Sequence, residues 1–259
     1  MRDEPVFTPS QFIDYIAKTK GLRRSALRIP QRMLMVYDLV DFRYLVDFRY
    51  LRKLAKGKAV KWWYSGQRPM CAGVYGRKRV ALTCNLVGAP AACMVLEEAI
   101  AAGAREVIEV GLAGGVQPYL KPGDIIVVTG ARSDEGTSRH YYPRDLEFEC
   151  SSALRERIEG RLDRKLVNYY RGLVWTTDGV YRETKAKLRK FKEEGVLGVN
   201  METSALLAVA RYRGVGLASI QVVSDILSES GWLLATHYPE VKRSMRDAMR
   251  CALDALCVR

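Results

Sequence analysis

Apolar segments of strand length alternate with a segment of helical character in the region that begins at Arg79. Val80–Cys84 and Glu106–Val110 have the length and composition of buried strands, and the alanine-rich stretch Ala91–Ala102 between them predicts a helix that ends at Gly103. A strand, a helix and a second strand in this order predict parallel pairing through a right-handed crossover. The sequence therefore predicts an α/β fold with parallel strands.

Two isolated carboxylates lie at the ends of apolar elements further along the chain. Ser204–Tyr212 has a helical spacing of apolar residues and stops at Gly214, and Leu217–Val223 has the character of a buried strand. Glu202 precedes the helix, where the helix dipole is expected to keep its carboxylate ionised and able only to accept hydrogen bonds. Asp225 closes the strand at its carboxyl end, where open α/β sheets bind ligands. Both residues could instead be structural, as a helix N-terminal acid and a turn cap.

The remaining pattern predicts an N-terminal arm followed by one domain. Residues 1–29 are polar and basic, and we expect an arm with a helix at Ser10–Lys20 that packs on the body or on a neighbouring subunit. Residues 30–259 show no linker, and their first predicted strand is Arg32–Asp38. The near-perfect tandem DFRYLVDFRYL at Asp41–Leu51 predicts a helix extended by local duplication.

Composition and charge narrow the possible classes of function. The chain has 259 residues, 48% of them apolar, and a net charge of +13. Lys and Arg are spread along the chain and do not cluster beside aromatic residues, so we expect no nucleic-acid partner. The positive field could attract small anions such as phosphate or a nucleotide, or it could be a solvated basic surface.

The chain also lacks the sequence marks of membrane and metal proteins. No apolar run reaches the ~18 residues of a membrane span, and the N-terminus has no signal-peptide apolar region. We therefore expect a soluble, cytoplasmic protein with no membrane partner. The six cysteines include no CxxC pair, and only His140 and His237 could assist them, so we expect no zinc site and no other metal.

Several motifs, in a fixed order, resemble those of the nucleoside phosphorylase and nucleosidase superfamily, of the purine nucleoside phosphorylase and uridine phosphorylase type. The resemblance covers about Val80 to Glu229. It is carried by the glycine-rich segment Val87–Ala131, the loop Arg132–Tyr142 (RSDEGTSRHYY), the segment Thr176–Thr184 (TTDGVYRET), the Met-Glu motif Asn200–Ala205 (NMETSA) and the Ser-Asp motif Val222–Asp225 (VVSD).

The resemblance implies a fold, an assembly and a reaction. Family members have a single three-layer α/β/α domain with a central mixed, largely parallel twisted sheet, and they form homo-oligomers such as dimers or hexamers. They are pentosyltransferases that cleave the N-glycosidic bond of a nucleoside with phosphate, releasing the free base and ribose 1-phosphate. No cofactor or metal is required, and the expected partners are a nucleoside and inorganic phosphate.

The resemblance also implies roles for individual residues. Glu202 would bind the ribose 2′- and 3′-hydroxyls, and Asp225 would be the catalytic acid that protonates the leaving base. Tyr181 is the candidate for stacking on the base, with Val180 nearby, although Tyr181 could equally be an ordinary loop aromatic. The other substrate-binding residues expected from the motifs are Met201, Gly114, Ser224 and His140.

The phosphate subsite departs from the family pattern at three positions. Tyr37–Asp41 reads YDLVD in place of the Gly-Asp-Pro-x-Arg loop, Glu109 stands in place of an arginine, and Leu112 in place of a hydroxyl residue. A buried Glu109 would repel a phosphate dianion unless a cation intervenes. Other arginines could hold phosphate instead. The main candidates are Arg43, Arg68 and Arg132, and Arg28 and Arg32 are further candidates.

Two alternatives to phosphorolysis follow from these departures. Water could be the nucleophile, as in hydrolytic relatives, with Asp38 or Asp41 activating it; those relatives also tend to have an arginine where this chain has Gln221. The chain could also be a nucleoside- or nucleotide-binding protein without catalysis. Glu202 and Asp225 argue against loss of catalysis, and the two loops that resemble phosphorylases favour phosphate over water.

Overall fold

The computed structural model describes residues 4–37, 48–63 and 69–258. Most of the predicted helix at Asp41–Leu51 lies outside these ranges, as do Asp38, Arg43 and Arg68. Within the described residues the helices are α1 (Pro9–Thr19), α2 (Phe48–Leu54), α3 (Ala89–Ala101), α4 (Ser152–Arg164), α5 (Lys185–Glu193), α6 (Thr203–Arg213) and α7 (Pro239–Cys257).

The strands of the described residues form a single mixed sheet. They are β1 (Arg32–Tyr37), β2 (Lys58–Ala59), β3 (Met70–Tyr75), β4 (Lys78–Asn85), β5 (Glu106–Gly115), β6 (Ile125–Asp134), β7 (Glu147–Glu149), β8 (Tyr170–Thr177), β9 (Gly198–Asn200), β10 (Gly216–Ser228) and β11 (Gly231–Leu234).

Parallel pairs form the middle of this sheet. Strand β1 pairs in parallel with β4 and with β5, and β5 pairs in parallel with β10. Strands β5, β10, β6, β8 and β9 also pair in a closed cycle, because β10 reaches both β5 and β6 while β9 reaches both β8 and β5. The carboxyl ends of β1, β5 and β10 therefore meet at one edge of the sheet. The predicted α/β fold with a mixed sheet is confirmed.

Helices cover the sheet in pairs, and their ends match the sequence signals. Helix α3 packs on α6, and α4 packs on α7. Helix α6 stops at Gly214, which has a left-handed φ of 66° and so suits glycine. Helix α1 starts with a capping box between Thr8 and Gln11 and packs on α3 through its buried face, so the N-terminal helix lies on the body of the same chain. None of the helices in the described ranges has the length and apolar content of a membrane span.

Two sequence predictions about the sheet are wrong. The strand was predicted at Glu106–Val110, but β5 continues through Gly111–Gly115, and none of these glycines has a positive φ. They are needed for space: a Cβ on Gly114 would lie 2.3 Å from Leu227 Cδ1. Asp225 was expected to close its strand, but β10 continues to Ser228 because β11 pairs with its last residues.

Candidate active site

A cavity of about 510 Å³ lies at the carboxyl ends of β1, β5 and β10. Its volume falls in the usual range for small-molecule sites. The cavity brings together seven of the residues that the sequence singled out, although they come from four separate parts of the chain: Gly114, Val180, Tyr181, Met201, Glu202, Ser224 and Asp225.

Glu202 lies at the start of α6, but its side chain does not cap that helix. One carboxyl oxygen accepts a hydrogen bond from the backbone N–H of Gly88 at 2.7 Å, and the other accepts from the backbone N–H of Met201 at 3.2 Å. The side chain is buried, with the residue only 6% exposed. These two bonds orient both oxygens at the cavity wall.

The prediction that Glu202 stays ionised is wrong. Burial, and then the nearby charge of Glu109, raise the pKa of Glu202 to about 8, against the lowering effect of its two backbone donors. Desolvation and a like charge outweigh hydrogen bonds to the charged form here. At neutral pH the carboxyl is therefore mostly protonated, so it can donate one hydrogen bond as well as accept.

Glu109 is fully buried and is held by hydroxyl groups. Tyr37 donates its hydroxyl to one carboxyl oxygen at 2.7 Å, and Thr203 donates to the other at 2.7 Å. Burial raises the pKa of Glu109, although these bonds lower it. No cation contacts Glu109 among the described residues, and its side chain does not line the cavity. Glu109, at the position where the resemblance implies an arginine, is therefore a buried carboxyl that is hydrogen-bonded by two hydroxyl groups and does not line the cavity.

Asp225 is fixed by one neighbour in sequence and one partner that the sequence did not reveal. Ser224 donates its hydroxyl to Oδ1 at 2.6 Å, and the Trp232 indole N–H donates to Oδ2 at 2.7 Å. Trp232 is on β11 and 63% exposed, with its ring at the cavity wall. A Cβ at Gly114 would lie 3.0 Å from Oδ2 of Asp225, so this glycine leaves room for the carboxyl. A register shift between Val223 and Asp225 turns the aspartate towards the cavity.

Glu183 is a third carboxyl in the cavity, beside Glu202 and Asp225, and sequence reasoning missed it. Burial, and then the charge of Asp225, raise the pKa of Glu183 to about 7, while Lys187 lowers it. Lys187 itself forms an ion pair with Asp134 at 2.6 Å. The segment Thr176–Thr184 contained Glu183, but nothing in the spacing placed it beside an aspartate 42 positions further along the chain. Its position on the cavity wall gives the site a group that changes protonation near neutral pH.

His140 and Arg132, which were also predicted as site residues, do not line this cavity. His140 is exposed in a short 3-10 turn after β6. The turn is tied to α6 through the buried Glu135, which accepts from the Ser204 hydroxyl at 3.0 Å. Arg132 forms ion pairs with Glu147 at 2.7 Å and Glu194 at 3.4 Å.

The other four arginines that were candidates for holding phosphate divide into two groups. Arg28 and Arg32 line a separate cleft at the other end of the sheet. Arg43 and Arg68, like Asp38 and Asp41, lie outside the described residues. The described cavity wall includes Tyr37 and Leu112, two positions at which the resemblance implies phosphate contacts.

Comparison with known proteins decides the family. Residues 43–257 match the sequence profile of the phosphorylase superfamily, which is most of the chain. The chain belongs to the phosphorylase superfamily. This confirms the enzyme class that the motifs indicated, a nucleoside phosphorylase-type pentosyltransferase.

Individual members of the superfamily are similar to this chain in sequence and in fold. The chain is 30% identical over 185 residues to a DeoD-type purine nucleoside phosphorylase of Bacillus cereus, and the match covers 71% of this chain and 77% of that one. It is 27% identical over 159 residues to an uncharacterized protein of Acanthamoeba polyphaga mimivirus, covering 61% of this chain and 62% of the viral protein. The uridine phosphorylase of Vibrio fischeri superimposes with a TM-score of 0.76 at 27% identity, covering 90% of this chain and 95% of that one.

Proposed function

We propose that this protein cleaves the N-glycosidic bond of a nucleoside with phosphate and releases the free base and ribose 1-phosphate. The observation that carries the proposal is the placement of Glu202 and Asp225 on one cavity of nucleoside size, in a chain that belongs to the phosphorylase superfamily. Each carboxyl is held by two hydrogen bonds, so both are preorganised for a ligand.

Glu202 and Met201 would bind the ribose. A nucleoside's 2′- and 3′-hydroxyls both need an acceptor, and Glu202 presents two carboxyl oxygens at the wall beside Met201. Two donating hydroxyls favour the charged form of a carboxyl, so ribose binding would lower the pKa of Glu202 from its value of about 8. The resulting negative charge would stabilise an oxocarbenium-like ribose as the bond breaks.

Asp225 and Glu183 would handle the base. As the glycosidic C–N bond breaks, its electron pair goes to the base nitrogen, and the base takes a proton from this carboxyl pair. Glu183, with a pKa near 7, can hold that proton at neutral pH and pass it through the pair. An oxygen of phosphate then forms the new bond to C1′. The acid at Asp225 favours a purine as the preferred base.

Tyr181 and Val180 stand at the mouth of the cavity. Tyr181 is 97% exposed and Val180 is also exposed, so neither side chain packs in the core of this chain. Both line the cavity near Glu183, where a base would lie. We propose that Tyr181 covers the base when a nucleoside is bound.

Phosphate would need a cation from outside the described cavity wall. Arg43 and Arg68 are the candidates, because Arg132 is engaged with two carboxylates elsewhere. One observation favours hydrolysis as a second candidate: the phosphate-contact positions Glu109 and Tyr37 bond to each other. In that reaction Asp38 or Asp41 would activate water.

We also propose a cytoplasmic homo-oligomer, a dimer or hexamer. None of the six cysteines, all within the described residues, forms a disulfide, and all are buried, as is usual in a reducing compartment. Trp232 and Leu234 of the edge strand β11 are exposed beside Tyr181 at the cavity mouth. An exposed apolar rim around a ligand site suits closure by a second copy of the chain.

The test of the proposed reaction is release of free base from inosine, adenosine and uridine as the phosphate concentration is varied. We expect base release that rises with phosphate and saturates, with the purine nucleosides ahead of uridine. The Glu202→Gln variant, prepared in parallel, serves as the blank for contaminating activity. Base release at one rate with and without phosphate points to water as the nucleophile, and no release from any nucleoside points to a binding protein.

A further inference from the structure

A second cavity, of about 790 Å³, lies at the amino-terminal ends of the central strands. Five arginines line it. Arg24 follows α1, Arg28 precedes β1, Arg32 is the first residue of β1, Arg79 is in β4 and Arg105 follows α3. Strand β1 separates it from the candidate active site by about 16 Å, the length of six extended residues. We name it the arginine cleft.

Two of these arginines are held in place by the fold. Arg24 donates to the backbone carbonyl of Ala101 at 2.9 Å and forms an ion pair with Asp14 at 2.7 Å. Arg105 donates to the backbone carbonyls of Ile100 at 2.9 Å and Ala104 at 2.6 Å. The backbone carbonyls orient both guanidinium groups without cancelling their charge. Asp14 offsets the charge of Arg24, so the fixed positive charge in the cleft comes from Arg105.

The other three arginines have donors to spare. Within the described residues, Arg28 and Arg79 are exposed and form no hydrogen bond or ion pair. The Nε of Arg32 is buried and forms an ion pair with Glu106 Oε2 at 3.4 Å, but it makes no hydrogen bond. Glu106 is already bound at 2.6 Å by Arg157, an additional cation. Positive charge therefore exceeds negative charge around the cleft.

The lining selects among anionic ligands. A guanidinium group can bind phosphate oxygens through two parallel hydrogen bonds, so several arginines around one cavity suit a ligand with several phosphate groups. No aromatic side chain stands among the described lining residues, so the base stacking that single-stranded nucleic acids use is missing. Ile29, Pro30 and Ala101 form an apolar floor beside the arginines.

We propose that the arginine cleft binds the polyphosphate group of a small ligand, a nucleoside triphosphate or an inorganic oligophosphate. The guanidinium groups of Arg28, Arg32 and Arg79 contact the phosphate oxygens, and Arg105 supplies fixed positive charge. Arg24, which is paired with Asp14, completes the wall of the cleft. The site is independent of the nucleoside cavity and of the reaction performed there.

Isothermal titration of the intact protein with tripolyphosphate, ATP and inorganic phosphate tests the proposal. We expect tripolyphosphate and ATP to bind more tightly than phosphate. The Arg28→Ala/Arg79→Ala double variant should weaken binding of both by at least about tenfold, the effect of losing one or more charge-assisted hydrogen bonds. Tighter binding of ATP than of tripolyphosphate identifies a nucleotide whose base lies on the apolar floor, and equal binding identifies the phosphate chain alone as the ligand.

The matched control is Arg144→Ala/Arg246→Ala, which removes the same charge at two exposed arginines outside the cleft. It should retain the wild-type affinity, because only the diffuse field changes. Equal loss in both double variants overturns the proposal in favour of a nonspecific basic surface. Loss in Glu202→Gln with none in Arg28→Ala/Arg79→Ala assigns the ligand to the nucleoside cavity. Tight binding of a single-stranded RNA with no binding of tripolyphosphate also overturns it.

Discussion

Asp225→Asn is expected to slow cleavage of a purine nucleoside by roughly 10²–10⁴-fold, the usual contribution of one general acid. Asparagine keeps the oxygen that can accept from Ser224 or Trp232, so the fold of β10 should be retained. It has no proton to exchange with Glu183. The measurement is the rate of inosine cleavage with saturating phosphate, beside nitrophenyl riboside, whose leaving group needs no proton and which should be nearly unaffected.

The carboxyl pair also sets an expected pH dependence for the same reaction. The proton needed by the base is present while Glu183 is protonated and is lost as pH rises through its pKa of about 7. Inosine cleavage should therefore fall above neutral pH, and Glu183→Gln should remove or displace that fall. Ser224→Ala, which removes one hydrogen bond to Asp225 but no titrating group, is the matched control.

The Asp225→Asn prediction has its own contradicting outcome. If this variant slows inosine and nitrophenyl riboside equally, Asp225 is a structural residue and not the catalytic acid.

Glu202→Gln is expected to cost about 1.5–3 kcal/mol or more in transition-state binding of a ribonucleoside, because a charged acceptor is lost and an NH₂ group faces a hydroxyl donor. The protein should still fold, since Gln can accept one of the backbone hydrogen bonds that Glu202 accepts from Gly88 and Met201. The measurement is kcat/KM for inosine and for 2′-deoxyinosine. Activity on the deoxynucleoside should fall much less, and equal losses on both remove Glu202 from the ribose site.

The same variant should change the pH dependence of folding. The pKa of Glu202 is raised from 4.5 to about 8, so the native state holds more protons than the unfolded state between these values. The stability contributed by the protonated form is fully present below about pH 4.5 and is lost as pH rises through about 8. Wild-type protein should lose on the order of 3–5 kcal/mol relative to Glu202→Gln between pH 5 and pH 9, measured by urea unfolding. Parallel stability profiles contradict the raised pKa.

The sequence predicted the framework of the fold where local signals agree. Apolar runs, helical spacing and a terminal glycine marked β5, α3 and α6, because each depends on residues near in sequence. Glu202 and Asp225 lie on one cavity, but Asp225 is not at the end of its strand, because β10 continues to Ser228. Roles for these residues came from the motifs, whose order along the chain matches that of the superfamily.

The electrostatics of the site could not be predicted from local pattern. Burial raises the pKa of Glu202, and the charge of Glu109, which lies 93 positions earlier in the chain, raises it further. The contact between Trp232 and Asp225 depends on the pairing of β10 with β11. Burial raises the pKa of Glu183, and the charge of Asp225 on another element raises it further. Each of these effects arises from the three-dimensional arrangement of residues far apart in sequence.

The central claim is that phosphate, and not water, is the nucleophile. The sugar product distinguishes the two directly, because phosphate gives ribose 1-phosphate and water gives free ribose. Wild-type protein with inosine and phosphate can be followed by ³¹P NMR, with free base quantified in the same sample. We predict ribose 1-phosphate in one-to-one proportion with the base released, and no base when phosphate is omitted. Free ribose, formed at a rate that does not depend on phosphate, contradicts the account and assigns the enzyme to the hydrolytic branch.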